Sequence, residues 1–149
     1  MRYVERFSKA WFINQIKINS VALISLLTAL SGFSYNAWRD HQNELNQNMR
    51  AAAFEVLKEL GELQTVVNYA HYDRNQVRGN PIDGWKNVLM VHDLSRLLTP
   101  VVAQSGHALY LKWQQDWAGL GNSRGSEEEI SMQIAETRQQ VLRAIDGLE

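Results

Sequence analysis

The sequence predicts an all-α protein, with an N-terminal transmembrane helix continuing into an antiparallel bundle of about four helices. Three observations predict it. A charge-free run from Ile18 to Trp38 is bracketed by Lys17 and Arg39. Downstream, apolar residues recur at steps of three and four, and no alternating strand pattern occurs. The chain's two prolines, Pro81 and Pro100, each stand where a helical pattern breaks.

At ~1.5 Å rise per residue the charge-free run reaches roughly 30 Å, the thickness of a hydrocarbon core. Its centre, Val21 to Leu30, is rich in Leu, Ile and Ala. Trp11 and Phe12 precede the run, and Tyr35 and Trp38 close it, as an interfacial aromatic belt requires. A buried core helix and a cleaved signal peptide are the rival explanations, the second because Ala29-Leu30-Ser31 has a small-x-small form. A long basic region before the run, and a helical pattern that continues past Ser31, favour an uncleaved signal-anchor over 18–38. Helical spacing places Ala22, Ser25, Ala29, Gly32 and Asn36 on one face. Two readings of that face stay open. It is a seam for a partner helix or a second copy, or its hydroxyls bond back to their own helix.

Orientation follows from flanking charge. Residues 1–17 hold Arg2, Arg6, Lys9 and Lys17 against Glu5, a net of +3, whereas residues 39–149 carry a net of −4. The Lys/Arg bias puts the N-terminus in the cytoplasm and the bundle in the periplasm of a bacterial inner membrane. Absence of cysteine is compatible with that compartment. Val4, Phe7, Trp11 and Ile18 recur near helical spacing, with Arg2, Arg6 and Lys9 offset from them. The segment 1–17 therefore either lies on the inner leaflet or simply extends the anchor and enforces topology.

Beyond Trp38 the chain is long enough for one small core. A first bundle helix is expected over 39–72, where Leu45, Met49, Ala52, Val56, Leu60, Leu63, Val67 and Ala70 form a near-heptad, coiled-coil-like stripe. Phe54 and Leu57 widen the stripe toward further neighbours. No breaker separates this helix from the membrane run. Asp73 to Gly79 ends it, and Asn80-Pro81 with Asp83 in the first turn starts the next, over 81–98. A third helix covers 100–118. Thr99 caps it at Pro100 or Ser105 caps it later, so a hairpin and a kinked pair both remain open. Gly119 to Gly125 forms a loop. Ser126 and three glutamates then read as a capping box opening a helix over 126–148, with a stripe of Ile130, Ile134, Thr137, Val141, Ile145 and Leu148.

The chemistry in this sequence is sparse. His41, His71, His92 and His107 show no metal-ligand spacing along the chain, and there is no Cys for zinc or an iron–sulfur cluster. Neither a metal nor a cofactor is expected; a noncovalent haem between Met49 and a bundle histidine is the minor alternative. No Gly-x-Ser-x-Gly elbow, phosphate loop or dinucleotide fingerprint is present, so no catalytic residue and no enzyme activity is expected. The acidic bundle argues against nucleic acid. The densest candidate binding surface is the turn that gathers Tyr69, His71, Tyr72, Arg74, Arg78 and Trp85, since aromatics and arginines dominate binding hot spots. The competing reading is that the aromatics plug the core end and the arginines face water. Trp113 and Trp117, four apart, read as core.

The segment NSVALISLLTALSGFSYNAWRD, followed by RAAAFEVLKELGELQ, resembles uncharacterised single-pass, membrane-anchored helical proteins of Gram-negative bacteria. The resemblance implies an envelope location and a helical domain, and carries over no activity and no site residues. The expected function is a non-enzymatic interaction or assembly module. Its partners are the lipid bilayer and a protein partner or homo-oligomer, met through the membrane helix and the first bundle helix. The alternative is a small ligand- or haem-sensing periplasmic bundle signalling through a partner, since no cytoplasmic output domain is expected beside the short N-terminal segment.

Overall fold

The computed structural model describes residues 9–75 and 77–148, and among these backbone hydrogen bonding forms five α-helices. They are α1 (Lys9–Ile18), α2 (Ser20–His71), α3 (Pro81–Ser95), α4 (Pro100–Asp116) and α5 (Arg124–Asp146), with a 3-10 turn at Trp117–Gly119. No strand occurs among the described residues. Residues 1–8, and with them Arg2, Val4, Arg6 and Phe7 of the expected basic segment, lie outside the described residues. Contacts divide the chain into two units, Met1–Glu44 and Leu45–Glu149. Helix α2 contributes residues to both.

In the first unit, Asn19 separates α1 from α2 only locally. Its N–H donates to Gln15 O at 3.0 Å and its carbonyl accepts from Leu23 N–H at 2.9 Å, so the i to i−4 ladder carries through. The side chains of Val21, Leu27 and Phe33 are 75 %, 64 % and 74 % exposed. Among the described residues, α2 is the one helix long and apolar enough to cross a membrane, and none of its apolar stretch is buried.

The second unit is a closed ring of four antiparallel helix pairs. Between α3 and α4, Gly84 faces Trp113, His92 faces His107 and Ser95 faces Gly106, so position numbers rise on one helix as they fall on the other. The same register links α4 to α5 through Ser105–Thr137 at 2.9 Å and Lys112–Glu129 at 3.1 Å. It links α2 to α3 through Asn87–Glu59 at 2.8 Å and through Gly84, which faces Leu63, and it links α2 to α5 through Gln64–Ser131 at 3.0 Å and a bond from Arg50 to the Leu148 carbonyl. The core between them is fully buried at Val56, Leu60, Leu63, Val67, Val91, Leu109, Trp113, Ile130 and Val141. Helices two and three of the bundle are therefore a hairpin.

Local chemistry explains the boundaries. Asn80 accepts from Ile82 N–H, and Thr99 accepts from Val102 N–H with Pro100 in the first helical position. Helix α3 stops at Ser95, short of the expected Leu98. Arg96, Leu97 and Leu98 close i to i−3 bonds, and Thr99 is extended ahead of Pro100. Helix α4 likewise ends at Asp116 and tightens into the 3-10 turn, short of Ala118. The cap of α5 is Ser123, whose Oγ accepts from Ser126 N–H, so Ser126 lies inside the helix and does not open a capping box. On α2 the buried stripe begins at Ala53 and Val56, and Leu45 is exposed. Phe54 is 60 % exposed and widens no contact, whereas Leu57 packs against the core.

A buried polar contact joins α2 to α3 in this core. Asn87 Nδ2 donates to Glu59 Oε2 at 2.8 Å and Glu62 Oε2 at 3.1 Å, and Glu59 and Asn87 are both buried. Asn87→Ala strips a buried carboxylate of its donor and is expected to cost about 1–3 kcal/mol in urea unfolding followed by circular dichroism. Glu59→Leu combined with Asn87→Leu removes both polar partners and should recover most of that loss.

Candidate functional site

Ala22, Ser25, Ala29, Gly32 and Asn36 all lie on α2 and are exposed, and a Cβ built on Gly32 meets nothing within 4 Å. Ser25 Oγ donates to Val21 O at 2.8 Å, and the nearby Thr28 Oγ1 to Ile24 O at 2.9 Å. Both hydroxyls are thereby satisfied within their own helix. What the face offers a neighbour is small size, and close helix approach is the property that small residues supply in a bilayer.

The turn that follows α2 is built by backbone constraint. Tyr72 N–H closes on Asn68 O at 2.9 Å, and Asn75 N–H reaches back to Tyr69 O at 3.0 Å. Between them Arg74 takes φ 49°, a left-handed conformation that costs a bulky side chain energy. Asn75 Oδ1 then accepts from the N–H groups of Val77 and Arg78, which turns the chain back on itself. Gly79 meets the helix end so closely that a Cβ would lie 2.2 Å from Ala70 N. Only a glycine permits that approach.

This fold-back brings Arg78 to Tyr69. The guanidinium donates to the Tyr69 hydroxyl at 3.0 Å and stands 5.4 Å from its ring centroid. His71 meets Tyr72 edge-on at 4.9 Å and lies 3.2 Å from the Leu120 carbonyl through Nδ1. A carbonyl only accepts, so in this contact Nδ1 carries the proton. Trp85 is not with them. It packs from the first turns of α3 onto α4 and the 3-10 turn, against Tyr110, Trp113 and Trp117 at 5.9, 6.5 and 6.4 Å. Of the expected set, two pairs assemble and Trp85 belongs to the bundle's aromatic cluster.

Two open clefts flank the turn. One of about 750 Å³ is lined by His71, Tyr72, Arg124, Glu127 and Met132, and one of about 370 Å³ by Arg74, Asn75, Asn80 and Asn122. The acids of the first are largely engaged. Glu128 binds Arg124 at 2.7 Å, which holds that guanidinium above its ordinary pKa; Glu129 binds Lys112, and Glu127 accepts from Ser131 at 2.8 Å. The Glu129 hydrogen bond likewise raises the Lys112 ammonium. Met49, next to the Arg50–Leu148 contact, and His71 stand about 22 residues, or ~33 Å at ~1.5 Å per residue, apart along α2.

A second side-chain cluster escapes reading along the chain. His92 and His107 meet across the α3–α4 hairpin, with His107 Nδ1 3.4 Å from His92 Nε2. Tyr110 lies beside both rings, at 5.2 Å from His92 and nearly parallel to His107 at 6.3 Å. The signal that locates this pair is the Thr99-Pro100 turn, because a hairpin hinged there sets positions 92 and 107 opposite each other. No group of three or more His, Cys, Asp or Glu among the described residues is arranged to hold a metal ion. Compared with known proteins, the chain matches no protein-family model, no curated protein and no solved structure.

Proposed function

We propose that the protein is a non-enzymatic, single-pass membrane module whose helical bundle serves interaction or assembly in the cell envelope. The carrying observation is the bare apolar surface of α2, where Val21, Leu27 and Phe33 expose most of their area. Surface of that kind is covered by lipid or by another transmembrane helix. In this reading the N-terminus is cytoplasmic, as its +3 flank favours, and the bundle is periplasmic at a bacterial inner membrane. Support for an assembly role comes from the small size of the face around Ala29 and Gly32 alone, since the Ser25 hydroxyl is spent on its own helix and supplies no bond across a contact. The resemblance to membrane-anchored helical proteins of Gram-negative bacteria points the same way.

Alkaline phosphatase fused after Glu149 is expected to be active, because the enzyme matures only outside the cytoplasm; an inactive, stably expressed fusion would reverse the topology. In the same membranes, Ala29→Leu or Gly32→Leu should lower the yield of a crosslinked complex. Unchanged crosslinking by both variants would remove the helix seam from this reading.

A further inference from the structure

We propose that His92 and His107 form a labile binding site for one divalent transition-metal ion of the zinc class, with water completing the coordination. The argument begins with spacing. Two imidazole nitrogens bound to one tetrahedral Zn²⁺ at ~2.0–2.1 Å stand about 3.3–3.4 Å apart. His92 Nε2 and His107 Nδ1 are 3.4 Å apart on two helices of a packed hairpin.

The second element is orientation. Asp93 Oδ1 lies 3.2 Å from His92 Nδ1, the carboxylate–imidazole contact that steadies a metal-binding ring. A carboxylate accepts, so in this contact His92 Nδ1 carries a proton and Nε2 presents its lone pair toward His107. Metal binding then requires one change at the partner ring. In the metal-free pair His107 Nδ1–H donates to His92 Nε2. In the metal-bound pair that proton is given up to solvent and one is taken onto His107 Nε2, which leaves Nδ1 free to ligate. The exchange moves one proton between the two nitrogens of the His107 ring, with solvent as the carrier.

Rigidity and access complete the case. Tyr110 stands beside both rings and is itself backed by Trp85 at 5.9 Å, so the pair is held against the aromatic cluster of the hairpin. His107 is exposed and the His92 side chain is 25 % exposed, so a hydrated ion can reach both nitrogens. Two protein ligands leave the remaining positions to water, which makes the ion exchangeable and distinguishes the site from a closed structural zinc. Nothing in this inference depends on the membrane or assembly reading.

The test uses the full chain in detergent micelles, titrated with Zn²⁺ by calorimetry and with Co²⁺ by visible absorption. The expected result is one ion per chain, with a Co²⁺ band of tetrahedral nitrogen–oxygen ligation. Asp93→Asn should weaken binding about 10-fold or more. His92→Gln and His107→Gln should each weaken it further, while His71→Gln leaves it unchanged. Far-ultraviolet circular dichroism of each variant checks that the bundle is folded. Absence of saturable binding or of the Co²⁺ band in the unmodified chain overturns the proposal without recourse to any variant. Binding that survives in a folded His92→Gln/His107→Gln double variant, or that is lost in His71→Gln, overturns it as well.

Discussion

Trp113→Ala is expected to lower the unfolding free energy of the bundle by about 3–5 kcal/mol, the usual cost of emptying a buried aromatic site. Trp113 is fully buried on α4 and meets Trp85 edge-on. It reaches the core through a notch on α3, where a Cβ at Gly84 would lie 2.4 Å from Trp113 Cζ2. Gly84→Ala closes the notch and should cost about 1–3 kcal/mol through overpacking. The two losses arise from one contact, so the double variant should show less than their sum. Trp113→Phe provides a contrast. Among the described residues Trp113 Nε1 is the buried side-chain polar atom without a hydrogen-bond partner. Replacing the indole by phenyl removes that uncompensated N–H along with some apolar area, so it should cost much less than Ala. Urea unfolding of all four variants by circular dichroism orders them. If Trp113→Ala unfolds with the midpoint of the unmodified chain, the indole does not organise this core.

Leu26→Arg with Leu27→Arg is expected to abolish stable membrane retention. Each arginine near the centre of a spanning helix costs about 2.5–3.5 kcal/mol, against a small favourable term for the leucine it replaces. Both leucines are more than half exposed on α2 and lie within its apolar stretch. The measurement is the fraction of protein left in the pellet after alkaline carbonate extraction. Phe54→Arg is the control, since Phe54 is equally exposed but stands on the bundle part of α2. It should leave retention unchanged. Equal retention of the double-arginine variant would mean that the apolar stretch does not span.

The parts of this fold that were legible in the sequence are those decided within a few residues. Asn80-Pro81 and Thr99-Pro100 start helices because a cap and a fixed φ act locally, and both caps are formed. The cap of α5 was misplaced because Ser126 and its glutamates match a capping box as well as Ser123 does, and Ser123 prevails with the loop from Gly119 packed against Ser126. Phe54 reads as core by composition, and its exposure depends on which arc of α2 the other helices occupy. The candidate site was legible only where it is local. His71 and Tyr72 are neighbours in sequence, and Arg78 returns to Tyr69 through a short turn. Trp85, and the meeting of His92 with His107, are set by the register of α3 against α4, which is a property of two helices and of neither sequence alone.

The ring of four antiparallel pairs has an even number of members, and parity governs where anything attached to this chain will go. A bundle entered by α2 and left by α5 has its entrance and exit at one end, and the Arg50–Leu148 bond fastens the two together there. A tag or fused domain after the end of α5 is therefore delivered beside the start of the bundle. Cargo meant to project from the opposite pole has to be spliced into a connection. The exposed Gly121–Asn122 corner, between the 3-10 turn and α5, is the splice point this architecture leaves free.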